Sequence, residues 1–146
     1  MTTRVLIVEA RFYDELADEL VRGAEAYFTE KGVEVERLSV PGAFEIPAAI
    51  AMAANATAEP RYDGFVALGC VIRGETTHYD YVCEESARGL RELAVNQCVP
   101  IGYGILTVEN ADQAWARASV DRKNKGRDAA EACLAMIAIR DRFDPA

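Results

Sequence analysis

The stretch RGETTHYDYV, residues 73–82, holds the only histidine of the chain, His78. An unperturbed imidazole titrates at a pKa of ~6.5, so it takes up and returns a proton near neutral pH. Gly74 permits a tight turn or a positive φ. Thr76 and Thr77 bring hydroxyls and backbone N–H groups to the point where a helical pattern begins. Free amides and the positive end of a helix dipole together receive anions. Thr77 and Asp80, three residues apart, also fit a capping box, in which the threonines only close the helix end. A lone histidine can equally be a structural one, so its surroundings must decide.

Two other stretches carry candidate chemistry. In VPGAFEIP, residues 40–47, Phe44 precedes a carboxylate, Glu45, at the mouth of a helix. An aromatic ring there can stack on a planar heterocycle, and Glu45 can accept hydrogen bonds from hydroxyls or ring N–H groups. The plainer alternative places Phe44 in the core and Glu45 on the helix dipole. Phe12 carries the same ambiguity. In ENADQAWARASVDRKNKGRDAA, Asn110 is a helix cap, Arg117 lies on the short helix, and Arg122, Lys123, Lys125 and Arg127 form a basic island. Such a run is usually a solvated face, yet a guanidinium is well shaped to clamp a phosphate through two parallel N–H···O bonds.

The elements that position these residues follow from periodicity. VLIVEA (5–10) and GFVALGCVI (64–72) are apolar runs of buried parallel strands. VEVERLSV (33–40) alternates, as an edge strand does, and VPIGYGILTV (99–108) is a fourth strand. Between them, Leu16, Leu20, Ala24, Tyr27 and Phe28 recur at helical spacing, with Asp14 as the expected cap and Gly32 as the stop. A helix follows the Pro-Gly turn, with Pro47 in its first turn. From Thr77 the stripe Tyr79, Val82, Cys83, Ala87, Leu90, Leu93 and Ala94 predicts a third helix, with Glu84 and Arg88 paired on its outer face. A short helix over ADQAWARA and a long one from about residue 124 to 142 complete the chain. Strands alternating with helices predict an α/β fold: a flavodoxin-like three-layer α/β/α sandwich on a mainly parallel four-stranded sheet. Ligands bind beyond the carboxyl ends of such strands, where the loops quoted above fall.

Composition bounds the function. The 146 residues suit one domain, 1–146. With 24 acidic and 16 basic side chains the net charge is −8, which argues against general nucleic-acid or anionic-membrane binding. No run reaches the ~18 apolar residues of a membrane span, and the N-terminus lacks a signal-peptide core, so a cytoplasmic protein is expected. The four cysteines form no CxxC pair and no zinc set with the single histidine, and are read as buried reduced thiols.

In combination the motifs are specific. RFYDEL, VPGAFEIPAAI, ALGCVIRGETTHYDYVCEES, GYGILTVENADQAWARA and NKGRDAA occur in the order and spacing of the lumazine synthase family, which the chain resembles over essentially its whole length. The resemblance implies condensation of 5-amino-6-(ribitylamino)pyrimidinedione with 3,4-dihydroxy-2-butanone 4-phosphate, with no metal or organic cofactor. It implies His78 as the general acid/base. Phe12 and Phe44 would flank the pyrimidinedione, and Ala43 and Glu45 the ribityl chain. Val71 and Ile72 would offer backbone groups to the ring. Glu75 and Thr76 would donate to the phosphate, Arg117 would clamp it, and Lys125 would assist. Tyr103 would take a position usually aromatic and apolar. Asp128 would stand behind His78 or Arg117.

It further implies a pentamer in which Tyr103, Arg117 and Lys125 come from the neighbouring subunit. Three features depart from the family pattern: Tyr13 replaces a frequent asparagine, Glu75 a usually small residue, and SVDRKN a glycine-containing loop associated with shell-forming members. An isolated pentamer is therefore expected. A flavin- or lumazine-holding paralogue on the same scaffold is the alternative; the presence of His78 and Arg117 favours the enzyme. A signalling receiver is disfavoured because the chain lacks the acidic pair expected at the end of the first strand, where only Glu9 stands.

Overall fold

The computed structural model describes residues 2–145. Four strands, β1 (Arg4–Ala10), β2 (Glu34–Val40), β3 (Gly64–Ile72) and β4 (Ile101–Val108), form one sheet in the order β2-β1-β3-β4. Every pairing is parallel. The fold is the α/β sandwich predicted by the alternation of elements, and the sheet is wholly rather than mainly parallel. Among the described residues, no helix is long and apolar enough to cross a membrane.

Strand alternation divides the core into two layers. Val5, Ile7, Val66, Leu68 and Leu106 face α1 (Asp14–Glu30), α4 (Ala111–Ala118) and α5 (Lys125–Phe143). Leu6, Val8, Phe65, Ala67 and Ile105 face α2 (Ile46–Ala54) and α3 (His78–Asn96). Helix α1 buries Leu16, Leu20, Ala24 and Phe28, four of the five periodic residues, and leaves Tyr27 half-buried. Leu16, Leu20 and Phe28 each contribute about 1.5–3 kcal/mol through removal from water, and the single methyl group of Ala24 about 0.8 kcal/mol. The helix ends before Gly32, which takes φ +68°, a conformation glycine adopts without a Cβ clash. Val33 N–H reaches back to the Phe28 carbonyl at 3.0 Å.

On the same face of the sheet as α1, α5 approaches β4 so closely that a Cβ on Gly102 would lie 1.9 Å from the Ala129 carbonyl oxygen. The glycines of GYG are thus packing residues: they seat α5 and fix where Lys125 and Asp128 begin that helix.

Several local expectations fail for identifiable reasons. Tyr13, not Asp14, is the N-cap of α1 and makes no side-chain cap bond; Asp14 is drawn instead to the Arg11 guanidinium, 2.9 Å away. Arg88 pairs with Glu85 and Glu92, not Glu84. Ala87 is exposed, and Ser86 occupies the buried position, its hydroxyl satisfied by the Cys83 carbonyl at 3.2 Å. Only Cys70 and Cys133 are buried; Cys83 is half-buried and Cys98 is exposed. Burial pushes the Cys70 thiol up to about 11 and that of Cys133 up to about 12. Cys98 lies in the connection to β4 at φ +55°, outside the apolar layers.

Candidate active site

The strand order reverses between β1 and β3, since β1 leads to β2 on one side and β3 lies on the other. The crevice beyond the carboxyl ends at such a switch point is the preferred ligand position of open parallel sheets. Ladder pairing of β1 with β3 stops at Glu9 and Leu68, whereas β3 continues beside β4 to Ile72. Val71 and Ile72, both half-buried, therefore end β3 with no β1 ladder partner beside them.

Three connections surround this crevice. After β1, Phe12 stands 72% exposed and packs edge-to-face on Tyr13, ring centroids 4.9 Å apart. After β2, the Pro-Gly turn leads into a short 3-10 turn, Ala43–Glu45, packed against α3 and the ends of β1 and β3. Ala43 is buried there and Phe44 is 56% exposed. Neither Phe12 nor Phe44 is a core residue, so the plain reading of both fails. Glu45 precedes α2 but makes no side-chain cap bond; its Oε1 turns back over Gly42, where an added Cβ would sit 3.3 Å away.

After β3, residues 73–78 are exposed. His78 is the first residue of α3, and its N–H donates to Thr76 Oγ1 at 3.3 Å. The Thr77–Asp80 capping box does not form: Thr77 makes no side-chain cap bond, and Asp80 N–H donates to the Thr77 carbonyl at 3.0 Å. The Glu75 side chain is exposed. The loop is anchored by Arg73, a role the sequence reading did not assign. Arg73 Nε donates to both oxygens of Glu109, at 2.9 and 3.1 Å, while its Cζ lies 4.3 Å above the Tyr79 ring. Its signal was a charged residue at each of two neighbouring strand ends. The hydrogen bond to Glu109 holds the Arg73 guanidinium above its usual pKa, and burial does the same to the Tyr79 phenol.

A second cluster lies at the open edge of β4. A cleft of about 310 Å³ is lined by Tyr103, Thr107, Arg117, Lys125 and Asp128, with strand residues between. Asn110 caps α4 by accepting from Gln113 N–H at 2.9 Å, as its position predicts. Arg117, one turn on, is half-buried and braced by the Gln113 carbonyl at 3.0 Å. Asp128 pairs with Lys125 at 3.2 Å and lines the cleft together with Arg117. Tyr103 is 44% exposed, and its partial burial pushes the phenol up. Arg127 of the basic island is instead structural, paired with Glu30 and Glu131 and stacked over Tyr27.

The structure thus assembles the candidates into two groups. Phe12, Phe44, Thr76 and His78 lie on the three connections that follow β1, β2 and β3; Tyr103, Arg117, Lys125 and Asp128 line a cleft that contains none of them. A larger cavity of about 620 Å³, between Tyr62, Phe65, Cys98 and Met136, holds no candidate residue.

A family model described as 6,7-dimethyl-8-ribityllumazine synthase matches residues 2–141. The chain belongs to that family. Proteins of this name from Bartonella bacilliformis and Methylorubrum populi are each 57% identical to it, over 95% and 94% of this chain and 91% and 83% of their own lengths. That of Agrobacterium fabrum is 55% identical over 95% of both chains. Membership in the lumazine synthase family accounts for the joint occurrence of VPGAFEIP and VIRGETTHYDYV, motifs too long and specific to coincide by chance.

Proposed function

We propose that the chain joins 5-amino-6-(ribitylamino)pyrimidinedione to 3,4-dihydroxy-2-butanone 4-phosphate. The product is 6,7-dimethyl-8-ribityllumazine, with release of phosphate and water. The single observation that carries this reading is the family match across residues 2–141, and the geometry supports a division of labour. The substrate amine adds to the ketone and loses water as an imine. Loss of a C–H proton then drives phosphate out, the resulting enol returns to a ketone, and the second amine adds to that carbonyl and closes the ring with loss of a second water. Each step moves a proton, and His78, exposed at the head of α3, is the group assigned to it.

Phe12 and Phe44 form the aromatic walls for the heterocycle, and Ala43 and Glu45 receive the ribityl chain. Val71 and Ile72 supply backbone contacts beside them. Glu75 and Thr76 give N–H and hydroxyl donors to the phosphate, and the exposed Glu75 carboxylate is free to turn away from it. Arg117, assisted by Lys125, is the phosphate's cationic partner, with Asp128 holding the Lys125 ammonium. The cleft of Arg117 lies along the edge strand β4, and His78 is not among the residues that line it. This supports a site completed by a neighbouring subunit's cleft, as in a pentameric ring. Nothing in this scheme calls for a metal or an organic cofactor.

Steady-state kinetics on two variants test it. His78→Ala is expected to lower kcat by about 10²–10⁴-fold with both KM values changed little; an unchanged kcat ends the proton-transfer role. Arg117→Ala is expected to raise KM for the butanone phosphate and spare that for the pyrimidinedione.

A further inference from the structure

Glu9 is the one charged side chain among the largest fully buried residues. It lies in β1, one residue before the strand's end, and no part of the proposed chemistry uses it. Its carboxylate takes a two-bond fork from Arg37 on β2, Nε to Oε2 at 2.6 Å and Nη2 to Oε1 at 2.9 Å. The Arg11 Nη1 donates to the same Oε1 at 2.5 Å. Arg11 then reaches forward into α1, bonding Asp14 Oδ1 at 2.9 Å and the Asp18 carboxylate at 2.8 Å. Its backbone N–H is tied to the Val40 carbonyl at 3.1 Å. Phe12 therefore projects from a link whose two flanks, Arg11 and Asp14, are bonded to each other, with Arg11 bonded in addition to the buried Glu9 carboxylate. The ring is 72% exposed and gains little orientation from packing beyond Tyr13.

We propose that Glu9 and Arg11 are positioning residues that hold Phe12 at the angle required by the planar pyrimidinedione. The proposal rests on the assignment of Phe12 as that substrate's wall. A fixed ring contributes binding because the entropy of ordering it has already been lost, and small misplacements of a positioning group lower rates and affinities steeply.

The test is a double-mutant cycle of Arg11→Met and Phe12→Ala, with Val21→Ala as a matched control that removes buried methyl groups from the same helix. Glu9→Gln, which conserves shape, provides a second route should Arg11→Met fold poorly. Arg11→Met is expected to raise KM for the pyrimidinedione on the order of tenfold, to leave KM for the butanone phosphate unchanged, and to have no further effect once Phe12 is alanine. Val21→Ala is expected to lower the melting temperature with neither KM moved. The proposal is overturned if Arg11→Met and Glu9→Gln both leave the pyrimidinedione KM unchanged. It is equally overturned if the effect persists undiminished in the Phe12→Ala background, or if Val21→Ala reproduces it. Should Phe12→Ala alone leave that KM unchanged, the wall assignment itself fails and the positioning role falls with it.

Discussion

Glu9 also shows how one buried charge links sequence to stability. Burial by itself would push its carboxyl up, but the hydrogen bonds from Arg37 and Arg11 outweigh that and hold it below the ordinary carboxylate value. A depressed pKa stabilises the fold at every pH above the unfolded value of 4.5, and that contribution is lost as pH falls through the lower folded value. Glu9→Gln is expected to cost on the order of 2–3 kcal/mol at neutral pH, below the range for fully buried pairs because both arginines are partly exposed. The gap to the unsubstituted protein should stay constant down to about pH 5 and narrow below it. Urea unfolding of both proteins from pH 7 to pH 3 measures this; a gap that widened in acid would contradict the pairing. At the same scale, the quoted residues of the crevice were legible because each breaks a local rule: an aromatic in a loop, a lone histidine at a helix start. Arg73 and Glu109 were not, because what couples them is the adjacency of β3 and β4 ends, 36 residues apart in sequence.

The long elements could be placed from periodicity alone, since α1, α3 and α5 each bury a stripe and the central strands are continuous apolar runs. Caps were less legible. Asp14 and Thr77 have the right residue types, but an arginine claimed the Asp14 carboxylate, and backbone bonds closed the first turn of α3 without the Thr77 hydroxyl. The contact of β4 with α5 makes a sharper element-scale case. Gly102→Ala places a methyl group against the Ala129 carbonyl, and relief requires a shift of the helix that carries Lys125 and Asp128. Overpacking of this kind is expected to cost about 1–3 kcal/mol, read as a lower urea midpoint with an unchanged slope. Because the Arg117 cleft runs between the same elements, KM for the butanone phosphate should rise as well, with the pyrimidinedione KM moved less.

At the scale of the whole molecule, the separation of the His78 crevice from the Arg117 cleft bears on assembly. Sites shared between subunits allow two variants impaired in different halves of the site to complement each other. His78→Ala and Arg117→Ala, unfolded together, refolded as a mixture and assayed at butanone phosphate well below the raised KM of the Arg117 variant, are expected to show more activity than the average of the two refolded alone. A mixture no more active than that average would place both residues in one subunit's site. Sedimentation of the unmixed protein gives the subunit number, and a ring without further association is the expected result.

The sequence by itself determined the alternation of strands and helices, the parallel sheet, the family and the residue types available for chemistry. These follow from side-chain periodicity and from long contiguous motifs, both local properties of the chain. Tertiary structure alone decided that Phe12 and Phe44 stand exposed rather than in the core, that Arg117 lines a cleft without His78, and that Glu9 lies buried between two guanidiniums. Those facts depend on strand order and register, which bring residues tens of positions apart within hydrogen-bonding distance, and no local pattern encodes that adjacency.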